Sequence, residues 1–575
     1  MVQNETETLS TTAVPLRPPA TVASLARMGS SFPSCLSFMR SLVRRLHSEA
    51  WSVGPSRIEL DDQGYGCMVY TAHGPERRYS LVGFSNALND DQRTDRVIAT
   101  AWDASFVLFD GEPGHDDIDR LRDSVPKQEA GRFEATELVL ARANRSMRLF
   151  EHVCESLANG RQPDIRLISE IGYLMRTTAV YGNGKFGVAD RSRIETRAEL
   201  AGPFQAEMLT LYMIRMFTTD LVEHIARRRS PVSYVPLDRS LKRHLGIGNA
   251  TGLGMAPFLV THPRLLNNWL MAKETALARV RSVSDVAPDK TERLHALLVR
   301  ARQHVAEWRV DDKRQSERID QLVYDLEIVT SWLGEEELQK GTDKPWNLVY
   351  EKSVQSLSLE GQELLVSLLI ETYPEYCQDL VHKMAADETY KLDASDTVEQ
   401  MTKRLKYQYD WALNIDFDSR SQTCYFWYVS ENKLEPRFGL RYEEAGADRE
   451  MPLAVARDIN LLYQDLQSCL PMQSLAEFLL TYPQHRQIVR RVQSLDGYPY
   501  GEIQDNLIGS ECLPLDILRF KLAFFGAAKF DPKSDLWTRI TLYQGAPLYD
   551  ELDKADADDW WLPVSPDQLD ASVTR

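Results

Sequence analysis

The segment Pro203–Arg229 constrains this chain more than any other. Met208, Leu209, Leu211, Tyr212, Ile214, Met216 and Phe217 leave a helix almost no polar face. Such a helix has to be surrounded, so the chain must build a core around it, with the methionines filling gaps. The rest of the sequence can supply that core: 575 residues, 43% apolar and 26% charged. This composition excludes a mostly disordered chain and a collagen-like one. Seven cysteines, an odd number with no CxxC spacing, fit neither a disulfide framework nor a zinc knuckle. They are read as reduced thiols, and the protein as cytoplasmic.

The net charge of −17 argues against general binding to nucleic acid or to an anionic membrane. About a third of the excess lies at the C-terminal end. From Asp550 onward there are eight acids against Lys554 and Arg575. No apolar run approaches membrane-spanning length. Glu5, Glu7 and the proline-rich patch Pro15–Pro19 break up any signal-peptide core. Ser37–His47 reads as a short basic amphipathic helix that docks on its own domain.

The expected fold is α+β and predominantly α-helical, with a small N-terminal antiparallel sheet packed on a large helical core. The division runs as a flexible tail (1–36), a small α+β domain (37–125), a helical core with Gly-rich loops (126–285), a helical hairpin (286–340), a second mostly helical part with a short aromatic strand (341–547) and an acidic tail (548–575). Between 57 and 110, β-rich runs separated by Gly and Pro predict three or four strands. Glu134–Asn159 has apolar residues at helical spacing and predicts a helix stopped by Gly160. The hairpin is periodic and charged, and could act as a homodimerisation arm. Trp560 and Trp561 predict that the acidic tail packs.

Three polar, glycine-bearing segments are candidate ligand loops. Gly246–Phe258 (GIGNATGLGMAPF) carries Gly248, Asn249, Gly252 and Gly254. A glycine loop can turn successive N–H groups toward an anion. It is not the dinucleotide fingerprint GxGxxG and lacks the Lys-Ser/Thr of a P-loop. The alternative is close backbone approach in a packed connection. His262, with Asn267 and Asn268, follows it. Tyr181–Gly187 (YGNGKFG) places Lys185 among glycines, as an anion ligand or a simple turn. Arg191, Arg193 and Arg197 come next, for buried pairing or for clamping a substrate. The third segment, 435–446, holds Glu435, Arg437 and Arg441. A fourth, Asp496–Glu511, bears Glu502, Asp505 and Glu511.

These segments predict an enzyme acting on a small anionic metabolite that bears carboxylate or phosphate, by proton-transfer or elimination chemistry. His262 and Glu435 would move the proton. Lys185, Gly248, Asn249, Gly252, Gly254, Arg437 and Arg441 would bind. No metal site is expected, since neither HExxH nor paired Glu-x-x-His spacing occurs, and no cofactor is indicated. Two other readings compete: an interaction or scaffold protein using the 286–340 hairpin, and a nucleotide-dependent enzyme with a non-standard phosphate loop at 246–258. Convergence of the loops in space would decide for the first.

Overall fold

A computed structural model describes residues 14–89, 92, 101–125, 134–182, 194, 197–252, 262–308, 313–334, 343–385, 390–416, 427–430, 436–438, 450–453, 455–504, 514–527, 531–534, 537–552, 560–563 and 569. The strands, in chain order, are β1 (Ser52–Leu60), β2 (Gly66–His73), β3 (Arg78–Ser85), β4 (Ala104–Asp110), β5 (Glu137–Arg145), β6 (Tyr173–Gly182), β7 (Gly246–Gly252), β8 (Trp427–Ser430), β9 (Pro436–Phe438), β10 (Glu450–Leu453), β11 (Asp531–Ser534) and β12 (Trp537–Leu542). Nine of them make one sheet in the order β1-β2-β3-β4-β5-β6-β7-β12-β11. Every neighbouring pair is antiparallel except β6 and β7. A parallel pair needs a long crossover, and here that crossover contains the apolar helix.

The chain forms two compact units. The sheet unit comprises Ser37–Met255, Ala306–Asp312 and Lys521–Arg575. In it, helix α1 (Phe38–Ser48) is buried along most of its length, with the Phe38 ring against Phe204, Phe524 and Phe525. Helix α2 (His115–Ser124) and helix α3 (Phe150–Ala158) precede the long helix α4 (Gln205–Arg229), which touches strands β2 to β7. Strand alternation assigns the two faces. On one face the Phe217 ring of α4 meets Phe106 edge-on at 4.9 Å, over Gly83. On the other, Val82, Phe84, Val107 and Phe109 join Ile118 and Leu121 of α2 in one buried cluster. Both faces of the central strands are therefore dry, and their sequences lose the alternation of half-exposed strands.

The helical unit comprises Met1–Leu36, Ala256–Val305 and Lys313–Phe520. It contains α5 (Pro263–Arg281), α6 (Pro288–Ala306, apart from its last residue), α7 (Lys313–Leu333) and α8 (Leu359–Thr372), together with a three-stranded sheet in the order β10-β8-β9. A buried ion network sits at its centre. Arg17 donates to both oxygens of Glu274 and to Glu363, and Lys273 and Arg27 also donate to Glu363. Burial alone would raise the Glu363 carboxyl, but Arg17, Lys273 and Arg27 outweigh it and hold the group well below the usual carboxylate range.

Several expectations are corrected. A small N-terminal sheet on a helical core becomes a nine-stranded mixed sheet that also takes in β5, β6, β7 and two C-terminal strands. Glu134–Asn159 is not one helix: Glu137–Arg145 is β5, buried on both faces, and α3 starts only at Phe150. The helix Ile165–Ile171 stops at Gly172, which takes the left-handed conformation (φ 79°) and opens β6. The glycine loop from Gly246 to Gly252 is strand β7. Residues 14–36 are not a free tail, for Arg17 is only 5% exposed. Nor is α7, within the 286–340 segment, free of its neighbours. Asp325 of α7 accepts from the backbone N–H and hydroxyl of Ser358, and a Cβ on Gly361 of α8 would lie 2.3 Å from its carboxylate. At the C-terminal end, Trp560 and Trp561 are buried, and Trp560 stacks on Tyr543.

Candidate functional site

The candidate site lies where β3 begins beside the end of β4. Tyr79 and Asp110 are cross-strand partners. The chain enters β3 through a tight turn, closed by Gly74 N–H donating to the Arg77 carbonyl. It leaves β4 at Gly111, whose φ of 101° favours glycine. Around this lip Glu76, Arg77, Arg78, Asp110, Gly111 and Glu112 line a shallow cleft of about 380 Å³, largely open to solvent.

Two buried side chains reach this lip from the stretch before α4. Arg197, 8% exposed, donates from Nη2 to Asp110 at 2.5 Å. Its Nε and Nη1 are buried and have no hydrogen-bond partner. Glu199, 4% exposed, accepts from the Tyr79 hydroxyl at 3.1 Å and lies 4.0 Å from Arg77 Nε. Its other oxygen, Oε2, is buried and unpartnered. Such orphaned atoms cost about 1–3 kcal/mol each unless water or a ligand meets them.

The surroundings hold this geometry. Trp51 stacks on the Tyr79 ring, with centroids 6.2 Å apart. Arg45 of α1 donates to the Glu199 carbonyl at 2.8 Å, fixing the backbone beneath the carboxylate. Burial, reinforced by the Glu199 charge, pushes the Tyr79 phenol well above its ordinary value. Tyr79 is thus a neutral donor, able to orient Glu199 but not to act as a base.

The residues singled out from sequence do not form this cleft. Gly248 lies in β7, where a Cβ would come within 2.6 Å of the Tyr173 ring. Asn249 donates to the Thr177 hydroxyl, which donates in turn to the Gly248 carbonyl. Gly252 faces Trp537 in the β7–β12 ladder. Gly246 and Gly248 therefore serve close packing. His262 precedes α5 in the helical unit, and Arg437 pairs in the ladder with Tyr428. Asn267 is engaged by Asn268 and by the Tyr500 backbone. Glu502 is held by both ends of the Arg491 guanidinium and by Tyr409. Lys185, Arg191, Arg193, Gly254, Glu435, Arg441, Asp505 and Glu511 lie outside the described residues.

Of the sequence candidates among the described residues, only Arg197 contacts a residue that lines the cleft, Asp110, which shows the buried pairing. Tyr79, Asp110 and Glu199 were missed. The one local sign was an acid followed by glycine at the end of an apolar run, Asp110-Gly111. Among the described residues no group of three or more His, Cys, Asp or Glu could hold a metal ion, and no helix is long and apolar enough to cross a membrane. Comparisons with protein-family models, curated proteins and solved structures return no match.

Proposed function

We propose that this chain acts on a small carboxylate-bearing molecule held in the cleft beside β3 and β4. One observation carries the reading: Arg197 is buried, anchored by Asp110, and keeps Nε and Nη1 without partners. A guanidinium fixed in this way is pre-organised to receive a carboxylate. The test is calorimetric titration of the full chain with propionate, succinate and glutarate and with their α-amino counterparts alanine, aspartate and glutamate. At least one should bind, and Arg197→Met should abolish that binding while retaining the native circular dichroism spectrum. Absence of binding by all six, or equal binding by the variant, overturns the reading.

A second reading, an interaction protein, is supported by Leu470, Met472 and Leu480 of the helical unit, which are 75%, 76% and 84% exposed. Light scattering on the chain and on a triple serine variant tests it. A mass that is monomeric in both counts against it.

A further inference from the structure

The helical unit brings together two cysteines that the sequence keeps 342 residues apart. Cys35 and Cys377 are fully buried, and Cys35 Sγ donates to Cys377 Sγ at 2.7 Å. Cys35 stands one residue before Leu36, where the N-terminal segment of this unit ends. Cys377 lies in a short 3-10 helix, Pro374–Leu380, that follows α8. The backbone is pinned around both cysteines. The Ser367 hydroxyl of α8 donates to the Phe32 carbonyl at 3.1 Å, and the Trp269 indole N–H of α5 donates to the Leu36 carbonyl at 3.2 Å. On the Cys377 side, Arg279 of α5 donates to the Tyr376 carbonyl at 2.7 Å and to both oxygens of Asp379. The meeting of the two sulfurs is therefore set by the fold rather than by two loose side chains.

The odd count and wide spacing of the cysteines exclude a framework of bridges, but not one bridge made by the fold. We propose that Cys35 and Cys377 are a disulfide site, closed by a low-molecular-weight disulfide such as oxidised glutathione while the chain folds. One cysteine thiolate attacks a glutathione sulfur, the glutathione S–S bond breaks, and the first glutathione leaves as a thiolate that takes up a proton. The other cysteine, as its thiolate, attacks the protein sulfur of the mixed disulfide and releases the second glutathione. Two protein thiols are oxidised to one disulfide, and one glutathione disulfide is reduced to two thiols. Contact between the sulfurs favours the second attack over release of the mixed disulfide. Burial fixes the timing. Neither sulfur offers surface to a reagent in the folded unit, so exchange runs before the unit closes around the pair, and the finished bond is shielded from reductants. The bond clamps the same N-terminal segment whose Arg17 joins Glu274 and Glu363, so that segment is held at two points.

The test uses the full chain, reduced and unfolded in urea, then refolded by dilution into oxidised plus reduced glutathione or into reduced glutathione alone. Each product is alkylated in urea and digested without reductant for mass spectrometry. After refolding with the oxidised form, the Cys35 and Cys377 peptides should be joined, lighter than their sum by the two hydrogens lost, and this linkage should dominate all others. The chain kept in urea with the same mixture should show no such preference. The joined product should have a higher urea midpoint than the reduced one, and should keep its bond when dithiothreitol is added without urea. Alkylated Cys35 and Cys377 in the oxidatively refolded chain, or an equal yield of their linkage in urea, overturns the proposal. Cys377→Ala should abolish the difference in midpoint between the two refolding conditions, and a difference that persists overturns the clamping role. Linkage mapping on the parent chain is decisive should that variant not fold.

Discussion

The Arg215 guanidinium, buried midway along α4, donates to the carbonyl of Ala546 at 2.9 Å, just beyond the last residue of β12. The same side chain also donates to the carbonyls of Arg243, Leu245 and Pro547. One cation thus joins the central helix to the residues before β7 and to those after β12. Burial draws it down to about 10, so it remains charged at neutral pH. Arg215→Met is expected to lower unfolding stability by about 3–5 kcal/mol, because several buried carbonyls lose their donor. Arg215→Lys should fall between, having a charge but not the fork. Urea denaturation measures both.

Glu363→Gln should destabilise the helical unit by about 3–5 kcal/mol, since Arg17 and Lys273 would be left buried without their counter-charge. The pH dependence has a definite sign. The folded-state carboxyl is held below its ordinary value of 4.5. Its contribution is fully present above that value and is lost as pH falls below it. The loss between about pH 5 and pH 2 should be shallower in the variant, as followed by urea midpoints.

Glu207 in the first turn of α4 has the opposite sign. It is buried, its Oε2 has no partner, and burial pushes its carboxyl up to about 7. Folding then favours the protonated form, so stability falls as pH rises from 4.5 toward 7. Glu207→Gln should match the parent near pH ~4 and exceed it by about 2–3 kcal/mol above pH ~8. A variant less stable than the parent at every pH would refute this.

Gly248→Ala should cost about 1–3 kcal/mol by overpacking against the Tyr173 ring. Gly54→Ala, in the edge strand β1 where a Cβ meets nothing within 4 Å, is the control and should change little. Calorimetry with alanine or glutamate on the refolded Gly248→Ala chain should give unchanged affinity, because Gly248 packs the sheet and does not line the cleft.

What could be read in advance follows from the range of the forces involved. The apolar run from Met208 to Phe217 implied a surrounded helix, and α4 is one. The runs between 57 and 110 implied strands, because Gly and Pro punctuate them. Leu138, Val139, Leu140 and Ala141 misled, since burial on both faces of β5 removes the period of two and leaves a run that also suits a helix. Gly246 and Gly248 misled because a glycine lost to ligand approach and one lost to packing look alike in sequence. Only the fold puts the Leu542 carbonyl and the Tyr173 ring where their side chains would go. The pairing of β7 with β12 leaves no local trace. For the same reason Tyr79, Asp110 and Glu199 carry no motif: three separate segments meet only once the sheet has formed.

That late pairing has a consequence for how the protein is made. β7 leaves the ribosome with β6 on one side and nothing on the other, and the long segment 256–520 is synthesised before its second neighbour exists. Throughout that interval the nascent sheet has an open edge able to accept a foreign strand. A chain truncated anywhere before Trp537 would keep that edge permanently, and should be a substrate for chaperones or a seed for aggregation.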